Sequence, residues 1–70
     1  MERIPVSSSN LMSVGYDPTT QIMEVGFHTP SVYQYFDVPQ SVYRGLLGAP
    51  SKGSYFHQHI RNVYRYSRVS

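Results

Sequence analysis

PSVYQYFDVPQSVYRGLLGAPSKGSYF, residues 30–56, is the stretch in which the period of the apolar pattern changes, and this change decides the fold. In its first part the side chains alternate, with Tyr33 and Tyr35 on one side and Phe36 on the other. Alternation at every second position is the pattern of a β-strand. From Pro39 onward the apolar residues recur at helical spacing instead. We therefore predict a strand that gives way to a helix at this proline.

The first helix is predicted to begin at Pro39 and to end near Gly48. Proline suits the first position of a helix, where its missing N–H costs nothing. Val42 and Leu46 are four residues apart, which places them on one buried face of the helix. A glycine followed closely by Pro50 is typical of a helix C-terminus.

A second helix is predicted to follow Ser51, whose hydroxyl can accept a hydrogen bond from a backbone N–H of the first turn. Phe56, Ile60 and Val63 recur at positions i, i+4 and i+7, so we expect them to form the buried stripe of this helix. We expect the helix to end near Tyr64 and the tail beyond it to be extended.

Two further strands are predicted before the quoted stretch, and short turns connect all three strands. The first turn is DPTT, residues 17–20, and the second is TPS, residues 29–31. Asp and Pro are both good turn formers. The alternating side chains expected to face the core are Met12, Val14 and Tyr16 in the first strand and Met23, Val25 and Phe27 in the second.

The predicted fold class is therefore α+β, with a three-stranded antiparallel β-meander followed by two α-helices. Short turns between alternating segments are the signature of such a meander. The tail Tyr64–Val69 also alternates and is rich in β-prone residues, so it could form a short fourth edge strand at the C-terminus. We treat residues 1–70 as a single domain.

The size of the chain limits what its core can do. A chain of 70 residues buries roughly 60% of its unfolded surface, so a second copy of the chain could supply stability that the core lacks. Because there is no cysteine, neither a disulfide nor a thiolate zinc site can contribute. The first ten residues contain no apolar leader segment, and no apolar run approaches the roughly 20 residues of a membrane span. We expect a cytoplasmic protein that does not enter a membrane.

Charge is distributed unevenly along the chain. Before Arg44 there is one cation against four acids, whereas from Arg44 onward there are five cations and no acid. A segment of one sign attracts polyanions, above all phosphates. The alternative is a solvated basic surface that only keeps a small protein soluble.

Nearly the whole chain, from about residue 5 to about residue 66, resembles the KTSC domain family. The central Tyr-x-Tyr of that family is carried by Tyr33 and Tyr35, and its Ser-x-Gly by Ser51 and Gly53. The resemblance implies a small domain found at the C-terminus of some lysyl-tRNA synthetases and alone in bacterial and phage proteins, with RNA binding as the usual suggestion. The matching segments are residues 6–8, VGYD at 14–17, residues 23–27, YQYFDVP at 33–39 and residues 46–64.

The sequence gives little support for catalysis or for a metal site. The four acids are scattered, and no two are spaced as a pair of catalytic carboxylates would be. His57 and His59 are two residues apart, so on a helix they point about 200° apart and cannot bind one metal ion together. We expect no catalytic residue, no metal ion and no cofactor, and we expect the protein not to be an enzyme.

The start of the second helix is a candidate site for an anion. Free backbone N–H groups and the positive end of the helix dipole meet there. Ser51 and Ser54 add hydroxyls, Lys52 adds a charge, and Gly53 allows close approach to the backbone. Plain helix capping would also select serine and glycine at this place, and both interpretations stay open.

The tyrosines are candidate surfaces for stacking. Proteins that bind single-stranded nucleic acids combine cations, which hold phosphates, with aromatic faces on which bases stack. Tyr64 lies among Arg61, Arg65 and Arg68, which with His57 would form one stripe if the helix continued that far. Tyr64 and Tyr66 repeat the Tyr-x-Tyr pattern of Tyr33 and Tyr35. Tyrosine also suits the core of a small domain, and at least one ring of each Tyr-x-Tyr could be core.

We therefore expect a non-enzymatic module that binds a phosphate-bearing ligand, with RNA as the first choice. One alternative is a homo-oligomer that binds a free signalling nucleotide, and another is a module that docks an acidic protein partner. In the first reading the arginines and the lysine hold phosphate, while Tyr35 and Tyr64 stack. The candidate ligand-binding residues are Tyr33, Tyr35, Ser51, Lys52, Gly53, Ser54, His57, Arg61, Tyr64 and Arg65.

Overall fold

The computed structural model describes residues 1–70 and shows one antiparallel sheet with two helices. The five strands lie in the sheet in the order of the sequence. Both helices come between the fourth and fifth strands along the chain. The predicted α+β fold class is confirmed, including the edge strand at the C-terminus. The elements are β1 (Ile4–Pro5), β2 (Leu11–Asp17), β3 (Ile22–Phe27), β4 (Val32–Tyr35), α1 (Gln40–Gly48), α2 (Lys52–His59) and β5 (Tyr66–Arg68).

The register of the meander decides which side chains face the helices. Met23 lies opposite Tyr35, and Val25 lies opposite Tyr33. Residues directly opposite each other in an antiparallel pair share a face of the sheet. Because Met23 and Val25 are fully buried, both tyrosines of β4 belong to the face that α1 and α2 cover. The core-facing positions predicted for β3 are confirmed, since Phe27 also packs against this core.

A β-bulge changes the alternation at the start of β2. The register with β3 shifts between Leu11 and Ser13, so one extra residue is inserted there. As a result Leu11 is fully buried while Met12 is 42% exposed. The prediction that Met12 faces the core is therefore wrong, whereas Val14 and Tyr16 pack as expected.

Both helices contribute to a single core on one face of the sheet. Leu46 of α1 and Phe56 of α2 pack onto the strands together with Ile60, which follows α2. Neither helix is long and apolar enough to cross a membrane. The nine buried residues of the core are Leu11, Val14, Met23, Val25, Tyr35, Val38, Leu46, Phe56 and Ile60.

The second helix is shorter than its apolar spacing predicts. It ends at His59, and Asn62 then adopts the left-handed conformation with φ of 63°. Asparagine tolerates this conformation better than most residues, and it reverses the chain toward β5. Ile60 is buried as predicted, but Val63 is 58% exposed instead of buried. The predicted helical stripe of cations beyond His59 therefore does not form.

The opposite face of the sheet is crossed by one arginine. The Nη1 atom of Arg3 lies 2.8 Å from Oε2 of Glu24, and the Nε–H of Arg3 donates to the hydroxyl of Ser13 at 3.0 Å. Gly15 and Gly26 leave the room that this approach requires. A Cβ on Gly15 would lie 2.5 Å from the carbonyl oxygen of Glu2. Strand β1 was not predicted; it pairs with β2 in an antiparallel manner, with Ile4 opposite Val14 and Pro5 opposite Ser13.

Replacing Gly15 with alanine is expected to destabilise the protein. The new methyl group would push against the backbone at Glu2 and displace β1, which lowers the free energy of unfolding by about 1–3 kcal/mol. Gly48→Ala is the matched control, because a Cβ there meets no atom within 4 Å. Chemical denaturation of both variants measures the effect. Equal stability of Gly15→Ala and Gly48→Ala would show that β1 is not packed as described.

Candidate functional site

Two clefts adjoin each other at the helix-covered face of the sheet, and the larger one has an aromatic floor. This aromatic cleft has a volume of about 460 Å³ and lies between α2, the β3–β4 turn and β5. Its floor consists of five aromatic side chains in mutual contact, which are Phe27, Tyr33, Tyr35, Phe56 and Tyr66.

The rings of the floor differ in how much surface they offer. Tyr35 is only 4% exposed, because Phe56 and Tyr66 pack against it with centroid distances of 5.4 and 5.6 Å. It therefore has no free face on which a base could stack, contrary to the role predicted for it. Tyr66 is 56% exposed, and Tyr33 beside it is half-buried. Their ring centroids are 5.6 Å apart. These two rings carry the accessible aromatic surface of the cleft.

Polar side chains form the rim of the aromatic cleft. His57 and Arg61, both predicted site residues, line it together, even though Arg61 lies beyond the end of α2. Opposite them is His28, whose Nε2 lies 3.1 Å from the carbonyl oxygen of Ser8. The remaining rim residues are Ser9, Asn10, Thr29, Ser31, Gly53 and Asn62.

The second cleft, here called the serine cleft, has a volume of about 430 Å³ and no apolar lining apart from Pro50. It lies between the β1–β2 loop and the N-terminus of α2. Ser9, Asn10, Gly53 and His57 line both clefts, so the two form neighbouring parts of one surface. The serine cleft is lined by Ser7, Ser8, Ser9, Asn10, Pro50, Ser51, Lys52, Gly53, Ser54, His57 and Gln58.

The N-terminus of α2 is capped as the sequence predicts. The hydroxyl of Ser51 accepts a hydrogen bond from the backbone N–H of Ser54 at 3.3 Å. The ammonium group of Lys52 donates to the carbonyl oxygen of Ala49 at 3.2 Å, just after α1 ends. Both side chains thus stabilise the connection between the helices. The first-turn N–H groups of Lys52 and Gly53 have no carbonyl partner within the helix.

Two predicted site residues lie outside both clefts. Arg65 forms an exposed ion pair with Asp37 at 3.3 Å, and its guanidinium lies 5.9 Å from the ring centroid of Phe36. Tyr64 is half-buried and packs against the core. The helical stripe that was to bring them next to Arg61 is interrupted by the turn after α2, so the structure does not assemble these residues with the others.

Several lining residues were not among the predicted site residues, and only some of them had a recognisable signal in the sequence. Tyr66 enters the aromatic cleft because β5 pairs with β4 in a register that places it opposite Tyr35. The Tyr-x-Tyr pattern of the tail was a signal for this residue. Asn62 and His28 belong to turns, and their approach to the cleft depends on the tertiary fold. Ser9 and Asn10 come from the loop before β2.

The electrostatic character of both clefts is neutral to positive. None of the four carboxylates of the chain lines either cleft. Glu24 is paired with Arg3 on the opposite face of the sheet, and Asp37 is paired with Arg65. The charged lining residues are therefore cationic, and an anionic group would meet no repelling carboxylate there.

Burial also affects the chemistry of Tyr35. The pKa of its hydroxyl is raised from 10.0 to about 12, mainly by desolvation. The neighbouring hydroxyls of Tyr33 and Tyr66 raise the pKa further, while the guanidinium of Arg61 opposes the shift. The shift therefore acts at alkaline pH; near neutral pH the hydroxyl is protonated, as that of an ordinary tyrosine is, and can donate a hydrogen bond.

Comparisons with known proteins agree with one another. Residues 7–64 match the KTSC domain family. A protein of Stutzerimonas stutzeri described as uncharacterized is 44% identical over 70 residues, with 99% of each chain covered. A lysine–tRNA ligase of Nostoc sp. is 46% identical over 55 residues, which cover 79% of this chain but only 10% of the ligase. The crystal structure of a KTSC domain protein from Yersinia pestis gives a TM-score of 0.96 at 35% identity, covering 99% of this chain and 97% of that one.

We predict that Tyr35 contributes a late step near pH 12 to an alkaline titration and that Tyr35→Phe removes this step. The unfolded state loses the phenolic proton near pH 10, whereas the folded state keeps it to about pH 12. The contribution of this group to the free energy of unfolding should consequently be complete below pH 10 and should fall by roughly 2 kcal/mol by pH 12.

Ultraviolet absorbance of phenolate and chemical denaturation at several pH values measure these two effects. Burial raises the pKa of Tyr16 and Tyr43 as well, so Tyr35→Phe should keep a shallower dependence on pH. If Tyr35→Phe showed the same alkaline loss of stability as the unaltered protein, the described burial of Tyr35 would be wrong.

Proposed function

The chain belongs to the KTSC domain family, and from this premise we propose that it is a non-enzymatic binding module for single-stranded RNA. The observation that carries the proposal is the position of the aromatic cleft directly beside the serine cleft, with cations and no carboxylate in either. Bases and phosphates alternate along a nucleic-acid strand. An aromatic surface next to a polar, cationic surface suits that alternation.

In this proposal a base lies against Tyr66 and Tyr33, whose rings are the accessible ones. Stacking of a base on an aromatic side chain contributes roughly 1–3 kcal/mol. The volume of about 460 Å³ falls within the range of small-molecule sites and suits a single nucleotide unit. Tyr35 supports the floor and offers its hydroxyl, but it does not stack.

The phosphates of the strand are proposed to lie along His57, Arg61 and the start of α2. Arg61 provides a guanidinium, which can bind a phosphate through two parallel hydrogen bonds. The first-turn N–H groups of Lys52 and Gly53 point into the same region, as N–H groups at a helix N-terminus do. The hydroxyls of Ser51 and Ser54 line the serine cleft and add polar contacts.

The distribution of the domain among its relatives also supports RNA as the ligand. A matching segment is present in lysine–tRNA ligases of Nostoc sp. and Trichormus variabilis, where it makes up about a tenth of the chain. Enzymes with that name act on an RNA. A small accessory domain in such an enzyme would serve that reaction by holding RNA near the enzyme.

Arg61→Gln is expected to weaken RNA binding about tenfold or more, because each charged phosphate contact contributes roughly 1–2 kcal/mol. Arg65→Gln is the matched control, since it makes the same change of charge at an exposed residue outside both clefts. Fluorescence anisotropy with a labelled single-stranded oligoribonucleotide of mixed sequence measures both. Equal losses of affinity in the two variants would indicate that the basic segment attracts RNA in a general way, and would contradict a defined site.

The dependence on salt separates RNA from the alternative ligands. Binding to a strand should weaken steeply with rising salt because phosphate contacts release counterions. A free nucleotide that bound with little dependence on salt, while the oligoribonucleotide did not bind, would favour the nucleotide alternative. Failure of both nucleic-acid ligands would favour a protein partner and overturn the proposal.

A further inference from the structure

The outer edge of β5 has unused backbone hydrogen-bonding groups. Ser67 lies opposite Gln34 of β4, and the carbonyl oxygen of Arg65 accepts from the N–H of Phe36 at 2.9 Å. Val69 also faces β4, because its N–H donates to the carbonyl oxygen of Val32 at 2.8 Å. In an antiparallel strand the intervening residues direct their N–H and C=O groups to the other side. The backbone groups of Tyr66 and Arg68 therefore point outward.

The opposite edge of the sheet does not offer the same possibility. Strand β1 comprises only Ile4–Pro5, and proline has no N–H to donate. Pairing of β5 with the β1 of another molecule would also leave an open edge on each chain and produce filaments. Among the two edges, only β5 is suited to extending the sheet in a closed assembly.

We infer that β5 pairs with the β5 of a second copy of this chain in an antiparallel, two-fold symmetric manner centred on Ser67. In this register Tyr66 lies opposite the partner's Arg68, and each of these two pairs exchanges both backbone bonds. The outward groups of β5 are thereby satisfied by about four hydrogen bonds. The two sheets become one continuous sheet with no open β5 edge.

The side chains of β5 are complementary to themselves in this arrangement. The partner's Arg68 lies opposite Tyr66, and a guanidinium and an aromatic ring attract each other. Tyr66 and Val69 are 56% and 50% exposed in the single chain. They are among the six large apolar side chains that are exposed, and a second copy along this edge would cover part of them.

The pairing also brings a charge from one copy to the binding surface of the other. Tyr66 lines the aromatic cleft, so the partner's Arg68 would stand at its margin on the helix-covered face. This part of the inference rests on the proposed binding of RNA, whereas the pairing of the strands does not. Association is therefore measured without any nucleic acid, so that failure of one proposal leaves the other intact.

Charge exchange at Ser67 tests the pairing. Its side chain is exposed and shares the far face of the sheet with Gln34, so substitution there should not disturb the core. In the symmetric pair the two copies of this residue are opposite each other, with Cα atoms roughly 4.5 Å apart. Ser67→Glu alone and Ser67→Lys alone should each weaken self-association about tenfold, because like charges face each other. An equimolar mixture of the two variants should restore it.

Sedimentation over a concentration series is the measurement, and circular dichroism verifies that every variant is folded. The unaltered protein should show a mass that rises with concentration from 8.0 kDa toward twice that value. Thr20→Glu and Thr20→Lys, in the exposed β2–β3 turn, are matched controls and should associate as the unaltered protein does.

Two results would overturn the inference. One is a mass that stays at 8.0 kDa up to about 1 mM, the weak end of specific association. The other is an association that Ser67→Glu and Ser67→Lys leave unchanged, or that their mixture does not restore, since the contact would then lie elsewhere on the surface.

Discussion

Burial of the Tyr35 ring connects the three parts of this small fold. The ring belongs to β4, lies against Phe56 of α2, and is flanked by Tyr66 of β5. Phe27 also contacts Phe56, and Tyr33 also contacts Tyr66, but of these rings only Tyr35 contacts both α2 and β5. The same packing places Tyr33 and Tyr66 at the surface next to Arg61. One contact thus stabilises the core and shapes the floor of the aromatic cleft.

Much of the fold could be predicted from the spacing of apolar residues, since spacing reports on local geometry. The alternation in β3 and β4, the first helix and the Ser51 cap all follow from it. The features that were missed depend on single residues or distant contacts. An extra residue before Ser13 reverses the exposure of Met12, and the left-handed Asn62 ends the helical pattern early.

The candidate site was predictable where its residues are close in sequence. The segment from Ser51 to Ser54 forms the N-terminus of α2, and His57 lies one turn further on the same face of the helix, so all of them line the serine cleft. The role predicted for Tyr35 depended on which face of the sheet is buried, and the role predicted for Arg65 depended on the length of the second helix. Burial removes Tyr35 from the accessible surface, and the turn after α2 places Arg65 outside the clefts, next to Asp37. Neither fact can be read from residue type alone.

The central claim is that RNA binds at the two adjoining clefts and nowhere else. Titration of ¹⁵N-labelled protein with a single-stranded oligoribonucleotide, followed by nuclear magnetic resonance, tests it most directly. The amide signals of Gly53, His57 and Arg61 are expected to shift together, while those of Glu24 and Gly48 do not move. Shifts centred on the Arg3 side of the sheet, or spread evenly over the basic segment, would contradict it.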